Sequence, residues 1–265
     1  MTEIAQVGSI SQAFVSTSTP VSVPLAQGTT KGNALVYLAR VSSDVGGNRA
    51  IASVTGGGAT WTQLLNYQPF GISIRHFIYL GIINTSTASG NITCTHSGSN
   101  TTTNSAAMMM EVTAGLGPDT LWEVDGTPGT WVRGGNGTTI PFPSQTPEDI
   151  DRAYFGWGTA GVATTYGSPP AGFSFLAQTG SSVNGMIWRL SCPVSAMAPS
   201  MVMPSGNSSS VSVLIKARNP KHGIGMMGQG GLAHNDDELS ARRYDRRRSG
   251  MYVPKQRELI VCRAA

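Results

Sequence analysis

The chain has 265 residues, enough for one large β domain or two smaller ones. Only 12% of them are charged, against about 25% in an average soluble protein, so Ser, Thr, Asn, Gln and Gly must cover the surface. No apolar run reaches the ~18 residues of a membrane-spanning helix, and the opening MTEIAQVGSISQAF lacks the basic-then-apolar pattern of a secretion leader, so neither a helical membrane insertion nor secretion is expected. The net charge of +4 is unevenly placed: up to Ala217 there are 8 Lys/Arg and 9 Asp/Glu, and from Arg218 onward 10 and 5, which sum to 18 and 14. The basic character belongs to the C-terminal stretch.

In chain order, short runs rich in β-branched and aromatic residues alternate with Gly, Pro, Asn and Ser. The expected strands are Ala13–Thr17, Ala34–Val41, Ala50–Val54, Trp61–Tyr67, Ile72–Leu80, Asn91–His96, Ala106–Val112, Thr120–Val124, Ala153–Trp157, Phe173–Gln178, Gly185–Cys192 and Ser209–Ala217. Between two of them, VTGGGATW (Val54 to Trp61) has glycines but no following Lys-Ser/Thr and no helix, so it reads as a hairpin turn and not a phosphate loop. In Ile72–Leu80 the residues Ile72, Ile74, His76, Ile78 and Leu80 share one face, expected to be core. Ser73, Arg75, Phe77 and Tyr79 share the other, a half-apolar face that meets a second sheet or subunit. SAAMMMEVTAG has blurred alternation, as suits a strand covered on both sides. Val211, Val213 and Ile215 form a core face against Ser210, Ser212 and Lys216. Two stretches, Gly126 to Thr146 and Gly158 to Ala171, are rich in Gly, Pro and Thr and are expected to be loops.

The pattern points to an all-β fold, an antiparallel jelly-roll-like β-sandwich over residues 1–217, with residues 218–265 as an extended basic arm. Asn235 and Glu238 make a capping-box arrangement for one short helix from Asp236 to about Arg248. Its Arg242, Arg243, Tyr244, Arg246, Arg247 and Arg248 suit docking on an acidic neighbour protein better than nucleic acid. Glu258 to Cys262, with Leu259, Ile260 and Val261, reads as a strand that joins another subunit's sheet.

No residue pattern for a metal or cofactor emerges. His76, His96, His222 and His234 lack ligand spacing, and His76 reads as a core imidazole. Cys94, Cys192 and Cys262 are far apart with no Cys-x-x-Cys; buried free thiols are expected, a Cys94–Cys192 bridge being the alternative. The carboxylates Glu123 and Asp125 are the candidates for a glycosidase pair, and Glu148, Asp149 and Asp151 lack the calcium-loop pattern. Both groups read more simply as strand-end and turn residues, so no catalytic residue is assigned. Trp131, in a Gly/Pro-rich segment with Arg133, is the candidate for stacking on a sugar ring, although tryptophan more often fills a core or an interface.

The stretches VTGGGATWTQL, ISIRHFIYLG, GNITCTHSGSNTTTNSAAMMMEVTAG and GNSSSVSVLIKA resemble a β-sandwich of bacteriophage virion proteins, most closely the minor tail proteins of phages infecting actinobacteria. The resemblance spans roughly Gln12 to Ala217. It implies a structural protein made in the host cytoplasm and located in the virion, bound to other virion proteins and to copies of itself, with no enzymatic activity. Capsid decoration and a tail-tip module binding host-surface glycan are the alternatives.

Overall fold

The computed structural model describes residues 3–16, 21–43, 49–69, 73–97, 102–160, 166–179 and 183–219. The chain divides into Met1–Asn219 and Pro220–Ala265; the helix, the arginine run and the strand expected in the C-terminal stretch lie outside the described residues. Those residues form fourteen strands, all in antiparallel pairs, and no helix.

Eight strands come first: β1 (Ala5–Val15), β2 (Ser22–Pro24), β3 (Ala34–Ser43), β4 (Ala50–Thr55), β5 (Ala59–Tyr67), β6 (Ile74–Ile83), β7 (Asn91–Ser97) and β8 (Thr102–Thr113). They make a five-stranded sheet ordered β1-β8-β3-β6-β5 and a three-stranded sheet ordered β2-β7-β4. Strands 1-8-3-6 facing strands 2-7-4 is the order of a jelly roll. One strand departs from it: β5 leaves the small sheet after β4 and adds to the edge of the larger one, beside β6.

The turn that makes this switch is the glycine run. Gly56, Gly57 and Gly58 all have positive φ, and a Cβ on Gly58 would stand 1.9 Å from the Thr85 carbonyl oxygen, so no larger residue fits. The loop binds through its carbonyls: Gly56 O accepts from Trp61 Nε1 at 3.1 Å, Gly57 O from Thr29 Oγ1 at 2.9 Å, and Gly58 O from Asn84 N at 2.9 Å. A phosphate cradle presents N–H donors; here the polarity is the reverse.

A third layer follows. β9 (Leu121–Val124), β10 (Gly129–Pro141), β11 (Arg152–Ala160), β12 (Ser174–Ala177), β13 (Asn184–Arg189) and β14 (Ser200–Arg218) form a sheet ordered β10-β14-β11-β13-β12, with β9 also paired to β14. Gly129–Pro141 was expected to be a loop. It is instead a thirteen-residue strand paired with β14, its register interrupted between Arg133 and Thr139. Gly and Pro are tolerated there because β10 is an edge strand, where a bulge costs few ladder bonds.

The five-stranded sheet is therefore the middle layer, and its two faces build two cores. Val36, Leu38, Ile78, Met108 and Met110 meet Phe155, Trp157, Val211 and Val213 of the third layer. Leu35, Tyr37, Phe77, Tyr79 and Met109 meet Val23, Ile51, Val54, Ile92 and Cys94 of the small sheet. Coverage on both sides explains the near-continuous apolar runs ALVYLA and AAMMM, and Phe77 and Tyr79 find their second sheet within the chain.

The serine face of β14 is covered as well. Ser208, Ser210 and Ser212 are buried, Ser210 and Ser212 because the segment after β10 folds back over them; Ser209 lies on the opposite face, with Val211, and bonds His76. Ser210 Oγ donates to Pro141 O at 2.6 Å and Ser212 Oγ to Pro143 O at 3.3 Å, while Tyr154 Oη donates to Pro143 O at 3.0 Å. Phe142 fits because Gly156 and Gly158 lie beneath its ring; a Cβ on either would stand 2.8–2.9 Å from it. Ile140, Phe142, Met197, Met201 and Met203 thus close a third apolar cluster on Tyr154, Ile187 and Leu214.

Candidate functional site

Trp131 and Arg133 lie one residue apart on the same side of β10. The guanidinium of Arg133 sits over the Trp131 ring at 5.1 Å from its centroid, a cation–π contact. It runs beside Gly137, where a Cβ would overlap it, and its Nη2 stands 3.5 Å from Thr139 Oγ1. Trp131 is half-buried and packs against the outermost apolar cluster. The structure brings the two residues together, and one face of the indole is already taken by the chain's own cation.

Glu123 and Asp125 face different partners. Asp125 is 2% exposed and accepts Arg152 Nε at 2.9 Å, Lys216 Nζ at 3.0 Å and Glu148 N at 3.2 Å. Burial pushes its pKa up, but the hydrogen bonds from Lys216, the Glu148 amide and Arg152 outweigh it and hold the carboxyl below its ordinary value. An acid held ionised in this way serves as a clip tying β9, β11 and β14 together and has no proton to donate near neutral pH. Glu123 pairs with Arg218 at the end of β14, and Glu148 approaches Lys216 at 3.6 Å. Asp149 closes a local turn onto Ile150 N at 2.7 Å. Among the described residues no group of three or more His, Cys, Asp or Glu is placed to hold a metal ion.

Cys94 and Cys192 are both buried and free. They belong to different clusters, Cys94 between the small and middle sheets and Cys192 on the outermost face, so they cannot meet. Burial raises both thiols, Cys192 to about 11, which leaves them unreactive. His76 is a core imidazole: Nε2 stands 2.7 Å from Ser209 Oγ, and burial, with Arg40 nearby, lowers its pKa to about 3. His96 is lowered to about 4 by partial burial and by Arg49.

Three cation roles escaped the sequence reading: those of Arg152 and Lys216 in the clip, and that of Arg40. Arg40 occupies the parity of Val36 and Leu38 in ALVYLARV and so points into the core between the middle and third layers. That inward parity is the signal by which the sequence could have shown it. Nothing in the sequence could pair Arg152 and Lys216 with Asp125, because β9 and β11 meet only through β14.

Comparison with protein-family models, with curated proteins and with solved structures returns no match for this chain.

Proposed function

We propose that this chain is a structural component of a phage virion, a minor tail protein whose β body is displayed and whose residues 220–265 anchor it to neighbouring subunits. The observation that carries the reading is the jelly-roll-like order of β1–β8, in which β5 alone departs, with a third layer sealing its outer face. Jelly rolls recur in virion and lectin proteins, and the described inward side chains of this one pack into its cores. The scarcity of charge and the resemblance of its strand and turn sequences to phage tail sandwiches support the same reading. The basic arm fits an anchoring role because contacts with neighbours can offset its ordering cost of roughly 1–2 kcal/mol per residue. The test is antibody-gold labelling of purified particles from the phage that encodes the chain. Label at the tail in a constant number of copies is the expected result; particles free of the chain refute the proposal.

A second reading, a glycan-binding tail-tip module, is favoured by one observation: Trp131 is only half-buried on an edge strand. It predicts that Trp131→Ala lowers retention on host cell-wall glycan at least tenfold while the far-UV spectrum stays unchanged. Equal retention by both proteins, or none by either, removes it.

A further inference from the structure

β1 is irregular where it passes a buried acid. Val7 pairs with Glu111 of β8 and Ser11 with Met109, so Gly8, Ser9 and Ile10 face Met110 alone. These surplus residues bulge out of the ladder, and Gly8 takes the bend with φ +64°. Beside the bulge lies a recess with room for about one water-sized group. Ser9, Ser11, Gln27 and Glu111 give it a polar lining, and Leu25, Leu35 and Met109 an apolar one. Ser9 and Gln27 are exposed and mark its mouth.

The acid at the recess is half satisfied. Glu111 is 6% exposed and Ser11 7%. Glu111 Oε1 accepts Asn33 Nδ2 at 2.7 Å and Thr30 N at 3.1 Å, while among the described residues Oε2 has no donor. No ion pair among those residues includes Glu111. A buried carboxylate with a bare oxygen and no counter-charge is costly. Ser11 Oγ accepts Ala26 N at 3.0 Å, which fixes the hydroxyl at the wall and leaves it a second lone pair. The Gln27 side-chain amide lies over Gly8, where a Cβ would stand 2.1–2.4 Å from it.

This lining selects its guest by size, charge and donors. A calcium ion takes about six or more oxygen ligands, and a single carboxylate beside apolar side chains does not supply them. An ammonium is the size of a water, carries the counter-charge and has three N–H donors for a carboxylate, hydroxyls and an amide carbonyl. Its first methylenes suit the apolar wall, as lysine stems do elsewhere.

We propose that the recess between the β1 bulge and Glu111 binds a primary ammonium group, carried by a lysine side chain or by a small amine. The ammonium donates to Glu111 Oε2 and to the oxygens of Ser11 and the mouth, and the attached methylenes pack on Leu25 and Met109.

The test is NMR titration of the isotope-labelled full chain with n-butylammonium chloride, compared with tetramethylammonium chloride and sodium chloride at one ionic strength. The signals to follow are the Thr30 amide and the Asn33 side-chain amide, the two donors on Glu111 Oε1. Both should shift saturably with n-butylammonium and not with tetramethylammonium, which has the charge but no N–H; this comparison needs no variant. Glu111→Gln keeps a carbonyl oxygen for Thr30 and Asn33 but loses the charge, and should weaken n-butylammonium binding at least tenfold. Nα-acetyl-lysine amide separates the sources: its binding shows that a lysine side chain is accepted, and binding of n-butylammonium alone confines the site to free amines, with the proposal upheld either way. No saturable shift with n-butylammonium would overturn the proposal and leave the recess to water. An equal shift with tetramethylammonium or sodium, or undiminished binding by Glu111→Gln, would overturn it too.

Discussion

The body's two halves are held together by different means. Between the small and middle sheets the core is aromatic and aliphatic: Tyr37 meets Trp61 and Tyr79 edge-on at 6.1 and 6.3 Å, and Phe77 stacks near Tyr79 at 6.5 Å. In the third layer the apolar contacts are joined by side chains that bond backbone. Ser210, Ser212 and Tyr154 hold the Pro141 and Pro143 carbonyls, Gln145 Nε2 reaches Thr127 O at 3.2 Å, and Asp125 clips three strands. The lesson is about what each half must bury. Alternating strands hide their backbone polar groups in ladders. A segment such as PFPSQ, folded over a sheet, has carbonyls with no ladder, and nearby hydroxyls and amides must satisfy them.

The largest effect should come from the core the two halves share. Trp157 is 0% exposed between the middle sheet and the third layer. Trp157→Ala should cost about 3–5 kcal/mol in urea unfolding, as for other buried aromatic truncations, and should expose both halves in one transition. Separate transitions would show that the layers are independent and break the comparison.

Next is the clip. Asp125→Asn leaves Arg152 and Lys216 without their carboxylate. Those cations keep partial solvent access, with side chains 12% and 14% exposed, so the expected loss is about 2–3 kcal/mol, below the range for fully buried pairs. The acid dependence has a definite sign. The folded carboxyl lies below its ordinary value, so its contribution is complete above the unfolded value of about 3.9. It disappears as pH falls through the lower folded one. Wild type and variant should therefore differ most above pH ~4 and converge below it. A constant difference down through that range would mean that the carboxylate's charge is not what holds the strands.

The smallest effect sharpens the contrast. Ser210→Ala removes one buried hydroxyl and leaves Pro141 O without that donor, at a cost of about 1–2 kcal/mol. An unchanged stability would place water on that carbonyl and weaken the view that serines substitute for a ladder.

The sequence revealed the first half more fully than the second, for physical reasons. Ile78 and Leu80 against Phe77 and Tyr79 is a period-two pattern, and its half-apolar second face was expected to meet a second sheet or subunit. The antiparallel sandwich was legible from such strands. β10 was not, because GTWVRGGNGTT carries the composition of a loop and becomes a strand only by pairing with β14. The cover over the serine face of β14 was not legible for a related reason: it comes from a segment some seventy residues earlier in the chain. At the candidate sites, Trp131 and Arg133 were expected in a loop, and they meet because β10 is a strand that puts both on one side. The Asp125 clip and the Arg40–His76 pair required tertiary registers that no local pattern encodes.

The central claim is that residues up to Asn219 hold their own shape while residues 220–265 carry the chain into a particle. It is tested most directly by quantitative mass spectrometry of purified particles assembled from either the full chain or a chain ending at Asn219. The account predicts that the shortened chain is soluble and folded in the lysate but depleted at least tenfold from particles. Normal incorporation of the shortened chain would contradict it.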